Sequence, residues 1–289
     1  MNVSTEELVL KAQAAEITEY HIYRNLSRMT RDEHNSEVLK RISEEELQHH
    51  NFWQSHTGVA VKPSKLKIGF YTLLARLFGL TFAIRLMETG EDLAQKTYRK
   101  IAQDIPQAAE IEQDEMDHEE QLIDMLEEER LQYTGSIVLG LNDALVELTG
   151  AIAGLTLALQ NTSLVAIASL VTGISAALSM AGSEYLSTKT EETEVKHPVK
   201  ASVYTGVAYI FAVAILVFPY FIVVSPFSGL IWTLVNALLI ILVFNFYISV
   251  AKSYNFTKRF LEMAGISLGV ATISFFIGLG IRHFLGVDV

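Results

Sequence analysis

The sequence predicts an all-α protein in which a four-helix bundle, residues 1–134, precedes five membrane-spanning helices in residues 135–289. Three observations support this prediction. The composition changes near residue 134 from acidic and polar to apolar. Before this point, apolar side chains recur at helical spacing in four segments. After it, five apolar stretches are long enough to cross a bilayer.

The acidic charge is concentrated in the first part of the chain. Of the net charge of −11, residues 1–134 carry −10 (15 Lys and Arg against 25 Asp and Glu) and the rest carries −1 (7 against 8). An acidic surface repels phosphates, so it argues against nucleic acid as a partner and favours cations. The chain contains no cysteine, which excludes disulfides and iron–sulfur clusters and leaves oxygen and nitrogen as metal ligands. The N-terminal sequence "MNVSTEELVLKAQ" lacks the features of a signal peptide, so the bundle is expected in the cytoplasm.

The four bundle helices are predicted at about 4–29, 36–56, 71–103 and 107–131. Each has an apolar stripe that includes polar side chains capable of binding metal. The stripes comprise, in chain order, Val9, Ala12, Glu16, Tyr23 and Leu26; Leu39, Ile42, Glu46, His49 and Trp53; Ile84, Glu88, Glu91, Gln95 and Tyr98; Ile111, Glu115, His118, Leu122 and Leu126. Other acids, including Glu44, Glu45 and residues 127–129, are expected on the solvated faces.

Two Glu-x-x-His pairs lie within these stripes, on the second and fourth helices. The i, i+3 spacing places a carboxylate and an imidazole side by side on one helix face. Two such pairs, with glutamates from the other two helices, form the ligand set of a dinuclear carboxylate bundle, in which glutamates of the partner helices can bridge both ions. The sequence therefore predicts a site for two iron ions, with manganese or zinc as substitutes. The candidate ligands are Glu16, Glu46, His49, Glu88, Glu91, Glu115 and His118, with Glu19 as an additional candidate.

The five spans are predicted at about 137–159, 163–187, 202–224, 227–250 and 261–282. The connections after the second and fourth spans carry the basic residues Lys189, Lys196, Lys200, Lys252, Lys258 and Arg259. The positive-inside rule therefore predicts a cytoplasmic N-terminus and an external C-terminus, with Arg282 as the exception. We expect an integral protein of the cell (inner) membrane.

Ionisable residues interrupt the first two spans. Asp143 and Glu147 share one helix face, as do Met180 and Glu184. A short outer turn joins these spans, so the two pairs are expected to face each other at similar depth, with Glu262 as a candidate fifth member. Buried intramembrane acids commonly line ion paths, and a thioether favours a transition metal. The alternative is that these groups are neutral, hydrogen-bonded packing residues.

The apolar segment 66–88 could be mistaken for a sixth span. Arg76 and Arg85 interrupt it, and a crossing here would separate the third bundle helix from the first two. We expect it to begin the third helix, with one side buried at a dimer contact or at the membrane surface.

The first part of the chain resembles the rubrerythrin branch of the ferritin-like superfamily. The segment "AAEITEYHIYRNLS" has the Glu-x₆-Tyr pattern of that branch at Glu16 and Tyr23, and both Glu-x-x-His motifs match. Glu88 and Glu91 match its Glu-x-x-Glu pattern on helix three. The cysteine-bearing rubredoxin module of rubrerythrins is missing, so the same electron supply is not expected.

The second part resembles the vacuolar iron transporter family. The segments "IVLGLNDALVELTGAIAG" and "ALSMAGSEYLS" match its first-span and second-span signatures. The resemblance implies that Asp143 and Met180 line the ion path, that Glu184 lies at its cytoplasmic mouth, and that the protein is a dimer exchanging Fe²⁺ for protons. Glu147 departs from the family, which often has a hydroxyl residue there. Only "TKTEETEVKHPVK" stands where the family has cytoplasmic metal-binding helices.

The combination resembles the membrane-bound ferritins, in which a ferritin-like domain is fused to an iron transporter. It implies an exporter of Fe²⁺, with Mn²⁺ as a second cargo, whose bundle collects metal. Two alternatives remain open. The protein can be a membrane-anchored di-iron ferroxidase or peroxidase, or the bundle can be a sensor that gates the transporter.

Overall fold

The computed structural model describes residues 3–88, 97–124, 133–190, 197–252 and 254–285. Helices form 89% of the structure and the described residues contain no strand, which confirms the all-α prediction. The chain divides into two compact units, Met1–Glu128 and Glu129–Val289.

The described helices of the first unit are α1 (Val3–Met29), α2 (Glu33–Thr57), α3 (Lys65–Phe78), α4 (Leu80–Glu88) and α5 (Ala108–Asp124). A further helical turn spans 97–101. The Asp32 side chain begins α2 by accepting a hydrogen bond from the Asn35 N–H, and Gly58 ends it in the left-handed region.

The third predicted helix is interrupted. A continuous helix was expected from 71 to 103, but Gly79 (φ 100°, ψ 160°) separates α3 from α4. This backbone conformation is essentially restricted to glycine. Ser64 caps α3 by accepting from the Lys67 N–H, so this segment forms a helix of its own. Glu91 and Gln95 lie outside the described residues.

Two apolar clusters lie on either side of a polar layer within the first unit. One cluster comprises Ile22, Tyr23, Leu26, Leu39, Ile42, Ile84 and Leu122; the other comprises Val9, Ala12, Trp53, Tyr98, Ile101, Ile105, Ala108 and Ile111. Helices α1 and α5 pass the two clusters in the same order, and α2 passes them in the opposite order. The predicted Glu-x-x-His pairs lie between the clusters, away from solvent.

The described residues of the second unit form five helices long and apolar enough to cross a membrane, which confirms the predicted number of spans. They are α6 (Thr134–Leu159), α7 (Thr162–Thr190), α8 (Pro198–Ile222), α9 (Pro226–Ala251) and α10 (Phe256–Leu285). The chain is therefore an integral membrane protein.

Helix α6 packs closely against two of its neighbours. A Cβ on Gly140 would overlap the carbonyl oxygen of Thr205 on α8, and a Cβ on Gly278 of α10 would overlap the carbonyl oxygen of Gly154. Small residues therefore allow these backbones to approach, as in many membrane helix pairs.

A π-helical turn, Ala144–Leu148, interrupts α6 directly after Asp143 and contains Glu147. The Thr149 N–H bonds to the carbonyl of Val146, and the carbonyl of Leu145 accepts a hydrogen bond of 2.6 Å from Ser267 Oγ on α10. Such turns rearrange a helix locally and occur frequently at functional sites. Here the turn sets the spacing of Asp143 and Glu147.

Candidate metal centre and ion path

The first unit brings two imidazoles and three carboxylates together in its polar layer. His49 Nδ1 lies 3.3 Å from an oxygen of Glu115 and 3.7 Å from oxygens of both Glu16 and Glu46. One ligand atom from each of these four residues lies within 4.8 Å of every other. All four side chains are buried, so they form a compact ligand set in a region without solvent.

Glu46 and Glu115 each face both imidazoles. His118 Nδ1 lies 3.3 Å from Oε1 of Glu46 and 3.9 Å from Oε2 of Glu115, while the other oxygen of each carboxylate faces His49. Each of these two carboxylates therefore lies between the imidazoles, with one oxygen towards each ring. The expectation that glutamates of the partner helices bridge both ions stays a prediction.

The outward nitrogen of each imidazole faces a carboxylate from the opposite helix. His118 Nε2 lies 2.7 Å from Oε2 of Glu45, and His49 Nε2 lies 3.2 Å from Oδ2 of Asp114. Each of these acids directly precedes a glutamate of the cluster. Carboxylates in this position fix the ring orientation of a metal-binding histidine and increase its basicity. Glu45 was expected on the solvated face and instead contacts the site.

Glu16 is held in place by two aromatic side chains. Its Oε1 accepts hydrogen bonds from Tyr98 Oη at 2.7 Å and from Trp53 Nε1 at 3.1 Å. The Trp53 and Tyr98 rings are stacked, with centroids 6.1 Å apart. The Oε2 atom of Glu16 is left to face His49. The two hydrogen bonds therefore fix the position of Oε1, and Oε2 is left available to bind a cation.

Five buried atoms of this layer have no hydrogen-bond partner. They are Glu16 Oε2, Glu46 Oε2, His49 Nδ1, Glu115 Oε1 and His118 Nδ1. An unsatisfied buried polar atom costs about 1–3 kcal/mol, more when it is charged. A bound cation would satisfy this cluster of carboxylate oxygens and imidazole nitrogens, and these ligand types suit iron, manganese or zinc. The residues present therefore fit a metal centre.

Proton positions in this layer follow from burial and from the close contacts. Burial would lower the pKa of His118, but its close contacts with the carboxylates of Glu115 and Glu46 raise it to about 11. Burial and the charge of Glu115 raise the pKa of Glu46 well above its usual value. Burial alone would also raise the pKa of Glu16, yet its close contacts with His49 and Glu46 and the hydrogen bond from Tyr98 hold it below its usual value. Without metal, the layer therefore holds protons.

The part of the chain that the structure describes does not place three of the predicted ligands in this cluster. Glu19 lies half-buried one turn beyond Glu16 on α1. The backbone of Glu88 ends α4, but its side chain is outside the description, as is all of Glu91. For these three residues the role of ligand stays a prediction.

In the second unit, Asp143 directly precedes the π-helical turn and Glu147 lies within it. Glu147 is exposed on the surface of the chain, and Asp143 is half-buried. Tyr209 on α8 donates a hydrogen bond of 3.1 Å to Oε2 of Glu147. Sequence reasoning missed Tyr209, although a tyrosine within an apolar span is itself a signal, because its hydroxyl needs a partner.

Met180 and Glu184, the two path residues predicted on the second span, contact different neighbours. Glu184 accepts a hydrogen bond of 2.5 Å from Ser136 Oγ, and Thr205 Oγ1 donates to the Ser136 carbonyl at 3.0 Å. Met180 packs against the apolar core of the unit. Glu262 is exposed on α10. Among the described residues, Asp143, Glu147 and Glu184 do not converge as the bundle ligands do, and their role as a path stays a prediction.

One part of the chain matches a known protein family. Residues 134–197 match the profile of the VIT family. The matched segment contains α6 and α7 and therefore includes Asp143, Glu147, Met180 and Glu184. This finding supports the vacuolar iron transporter part of the resemblance. No curated protein matches the chain.

Proposed function

We propose that the protein transports Fe²⁺ across the membrane, with Mn²⁺ as a second cargo, and exports it from the cytoplasm in exchange for protons. The first unit binds two metal ions and delivers them to the membrane helices or senses them. The observation that supports this proposal most strongly is the group of five buried ligand atoms without a hydrogen-bond partner, in a chain that also contains a VIT-family segment. The buried ligand cluster alone, or the VIT-family segment alone, would be a less specific indication of metal binding and transport.

The bundle would hold the ions with residues that the structure brings together. Glu16, Glu46, His49 and Glu115 would hold one ion, and Glu46, Glu115 and His118 would hold the other. Ile84 and Tyr98 belong to the two apolar clusters on either side of this layer. Glu88 and Glu91 lie between them in sequence, so they are the candidates for the remaining side.

The membrane helices would carry the ion past Asp143, Glu147, Met180 and Glu184. Carboxylates replace part of the hydration shell of a divalent cation, and their own desolvation is offset while a cation or proton is bound. We propose a homodimer with cytoplasmic N-termini. A dimer is consistent with Glu147 being exposed on the single chain, because a partner could then enclose the path.

The second candidate function is a membrane-anchored di-iron ferroxidase or peroxidase. The observation that favours it is the pair of carboxylates that each face both imidazoles, because a dinuclear iron centre held by such ligands would supply the reduction of O₂ or peroxide with oxidation of Fe²⁺. The chain would supply the ligands and exclude water from the layer. The two functions are compatible, since a bundle that oxidises iron can also regulate its supply.

The decisive experiment is Fe²⁺ flux in proteoliposomes under an imposed pH gradient. Four proteins are compared: the intact chain, Asp143→Ala, the bundle variant Glu46→Ala/Glu115→Ala, and the control Glu44→Ala/Glu120→Ala. The control removes two exposed glutamates from the same two helices as the bundle variant. Consumption of O₂ and of peroxide is measured on the same preparations.

Transport by the intact chain, its loss in Asp143→Ala, and a slower rate in the bundle variant alone would support a transporter with a collecting domain. A faster rate in the bundle variant would indicate a gating domain. Absence of transport by the intact chain, with Fe²⁺-dependent O₂ or peroxide consumption that the bundle variant loses, would replace the transporter with the anchored enzyme.

A further inference from the structure

Helix α3 presents an apolar face to solvent. Leu66, Phe70, Leu73 and Leu77 recur at spacings of four, three and four residues, which places them on one side of the helix. Their exposed fractions are 87%, 52%, 53% and 59%. A contiguous exposed patch of large apolar side chains usually marks an interaction surface.

The opposite face of α3 already has its partner within the unit. Ile68, Tyr71 and Ala75 pack against the apolar cluster that contains Ile22 and Leu26. The Asn25 side chain donates to Thr72 Oγ1 at 3.4 Å. The inner face therefore fixes the helix on the bundle, and the outer face is not needed to complete the core.

The charge of α3 differs in sign from that of the region around it. The helix contains Lys65, Lys67 and Arg76 and no acidic residue, although residues 1–134 carry a net charge of −10 (15 basic against 25 acidic). An apolar face bordered by basic residues is the pattern of a helix that lies in a membrane interface. Lysine and arginine stems follow the apolar surface while their charged ends reach the lipid phosphates.

Chain continuity keeps this surface near a bilayer. Asp124 ends α5 and Tyr133 immediately precedes the first span, so eight residues connect them. Even fully extended, such a connection reaches only about 30 Å. A bilayer is therefore always available to the first unit.

We propose that the outer face of α3 docks on the surface of the host membrane and inserts between anionic phospholipid headgroups. Leu66, Phe70, Leu73 and Leu77 enter to a depth of about 5–10 Å, and Lys65, Lys67 and Arg76 contact phosphates. This inference rests on the five spans and does not depend on transport. It adds a lipid contact that confines the metal-binding unit to the membrane surface.

A second copy of the chain fits this face less well than lipid does. Most homodimer interfaces are two-fold symmetric and pair the same patch on both subunits. Such pairing would bring the basic residues of one α3 close to those of the other, and like charges oppose association. An anionic bilayer instead complements both the apolar face and the charge.

The absence of native cysteine allows the docking to be tested in the full chain. Phe70→Cys and Leu73→Cys place a label on the outer face, and Glu37→Cys places one on an exposed position of α2 as the control. Each protein carries an environment-sensitive fluorophore and is reconstituted into nanodiscs, with or without anionic lipid and with nitroxide-labelled acyl chains as quenchers. Circular dichroism and Fe²⁺ binding verify that each variant is folded.

Docking predicts a blue shift and strong quenching at positions 70 and 73, no quenching at 37, and weaker quenching when anionic lipid is omitted. The triple substitution Lys65→Gln/Lys67→Gln/Arg76→Gln should reduce quenching at 73 and remove its dependence on anionic lipid. A label that stays water-exposed in both lipid compositions would overturn the proposal. So would a blue shift without lipid quenching combined with a short distance between nitroxides on two copies, which would assign the face to a dimer.

Discussion

Glu45 on α2 holds the imidazole of His118 on α5, with 2.7 Å between its Oε2 and the ring Nε2. Asp114 on α5 makes the reciprocal contact with His49 on α2, at 3.2 Å. Each helix therefore supplies a metal ligand pair and also orients the histidine of the other. Because of these two contacts, a shift of α2 relative to α5 would also change the orientation of both imidazoles in the centre.

Removing one of these outer carboxylates should weaken metal binding without removing a ligand. For Glu45→Gln and Asp114→Asn we expect an affinity loss of about 10-fold to 100-fold, because an orienting partner of a metal-binding histidine contributes on that scale. Titration of the full chain in detergent with Fe²⁺ under anaerobic conditions, or with Co²⁺, measures the change.

Glu44→Gln is the matched control for the outer carboxylates, because Glu44 precedes Glu45 and is exposed. Equal affinities for Glu44→Gln and Glu45→Gln would mean that Glu45 makes only a surface ion pair.

Metal binding should release protons and strengthen as the pH rises. Close contacts with the carboxylates of Glu115 and Glu46 raise the pKa of His118 to about 11, and burial raises that of Glu46. His118 therefore holds a proton at neutral pH that a bound cation must displace, and the raised pKa of Glu46 favours its protonated form in the same way. Calorimetry in buffers of different ionisation enthalpy measures the number released, and Glu46→Gln should lower it. Proton release that is unchanged by this substitution would contradict the assignment.

The metal-free bundle should lose stability as the pH rises. The pKa of His118 is raised on folding, so its stabilising contribution is complete below its unfolded pKa of about 6.5 and disappears as the pH approaches 11. Glu46 has a raised pKa too and acts in the same direction. Thermal unfolding followed by circular dichroism between pH 6 and 10, with chelator present, should show a falling midpoint. A midpoint that rises over this range would be inconsistent with these proton positions.

Much of the bundle site follows from sequence because the Glu-x-x-His pairs interrupt apolar stripes at helical spacing. The positions of the outer carboxylates Glu45 and Asp114 do not follow from sequence, since each directly precedes a site glutamate and a helical projection places it towards solvent. Their role depends on how α2 and α5 face each other, which periodicity does not encode. The break at Gly79 was missed because an isolated glycine is tolerated in many helices. The π-helical turn of α6 depends on Ser267, far away in sequence.

The close approach of α6 and α8 should make Gly140 intolerant of a methyl group. A Cβ there would overlap the backbone oxygen of Thr205, whose position a side-chain rotation cannot relieve. Gly140→Ala should therefore destabilise the membrane unit by about 1–3 kcal/mol. The midpoint of thermal unfolding in detergent measures this. Gly269→Ala on α10 is the control, since a Cβ there meets no atom within 4 Å. Equal unfolding midpoints for the two variants would show that α6 and α8 can move apart at Gly140 without a loss of stability.

Tyr209 should matter to transport through its hydrogen bond with Glu147. Tyr209→Phe removes only the hydroxyl and leaves the ring, which is completely buried in the core of the membrane unit. A hydrogen bond to a charged group is worth about 1.5–3 kcal/mol, so loss of the donor should change the Fe²⁺ transport rate about tenfold or more if Glu147 contacts the ion. Glu147→Gln should show a change of similar size, and the double variant should show little beyond either single one. Additive effects would mean that the two residues act separately, and the contact would then be one of packing alone.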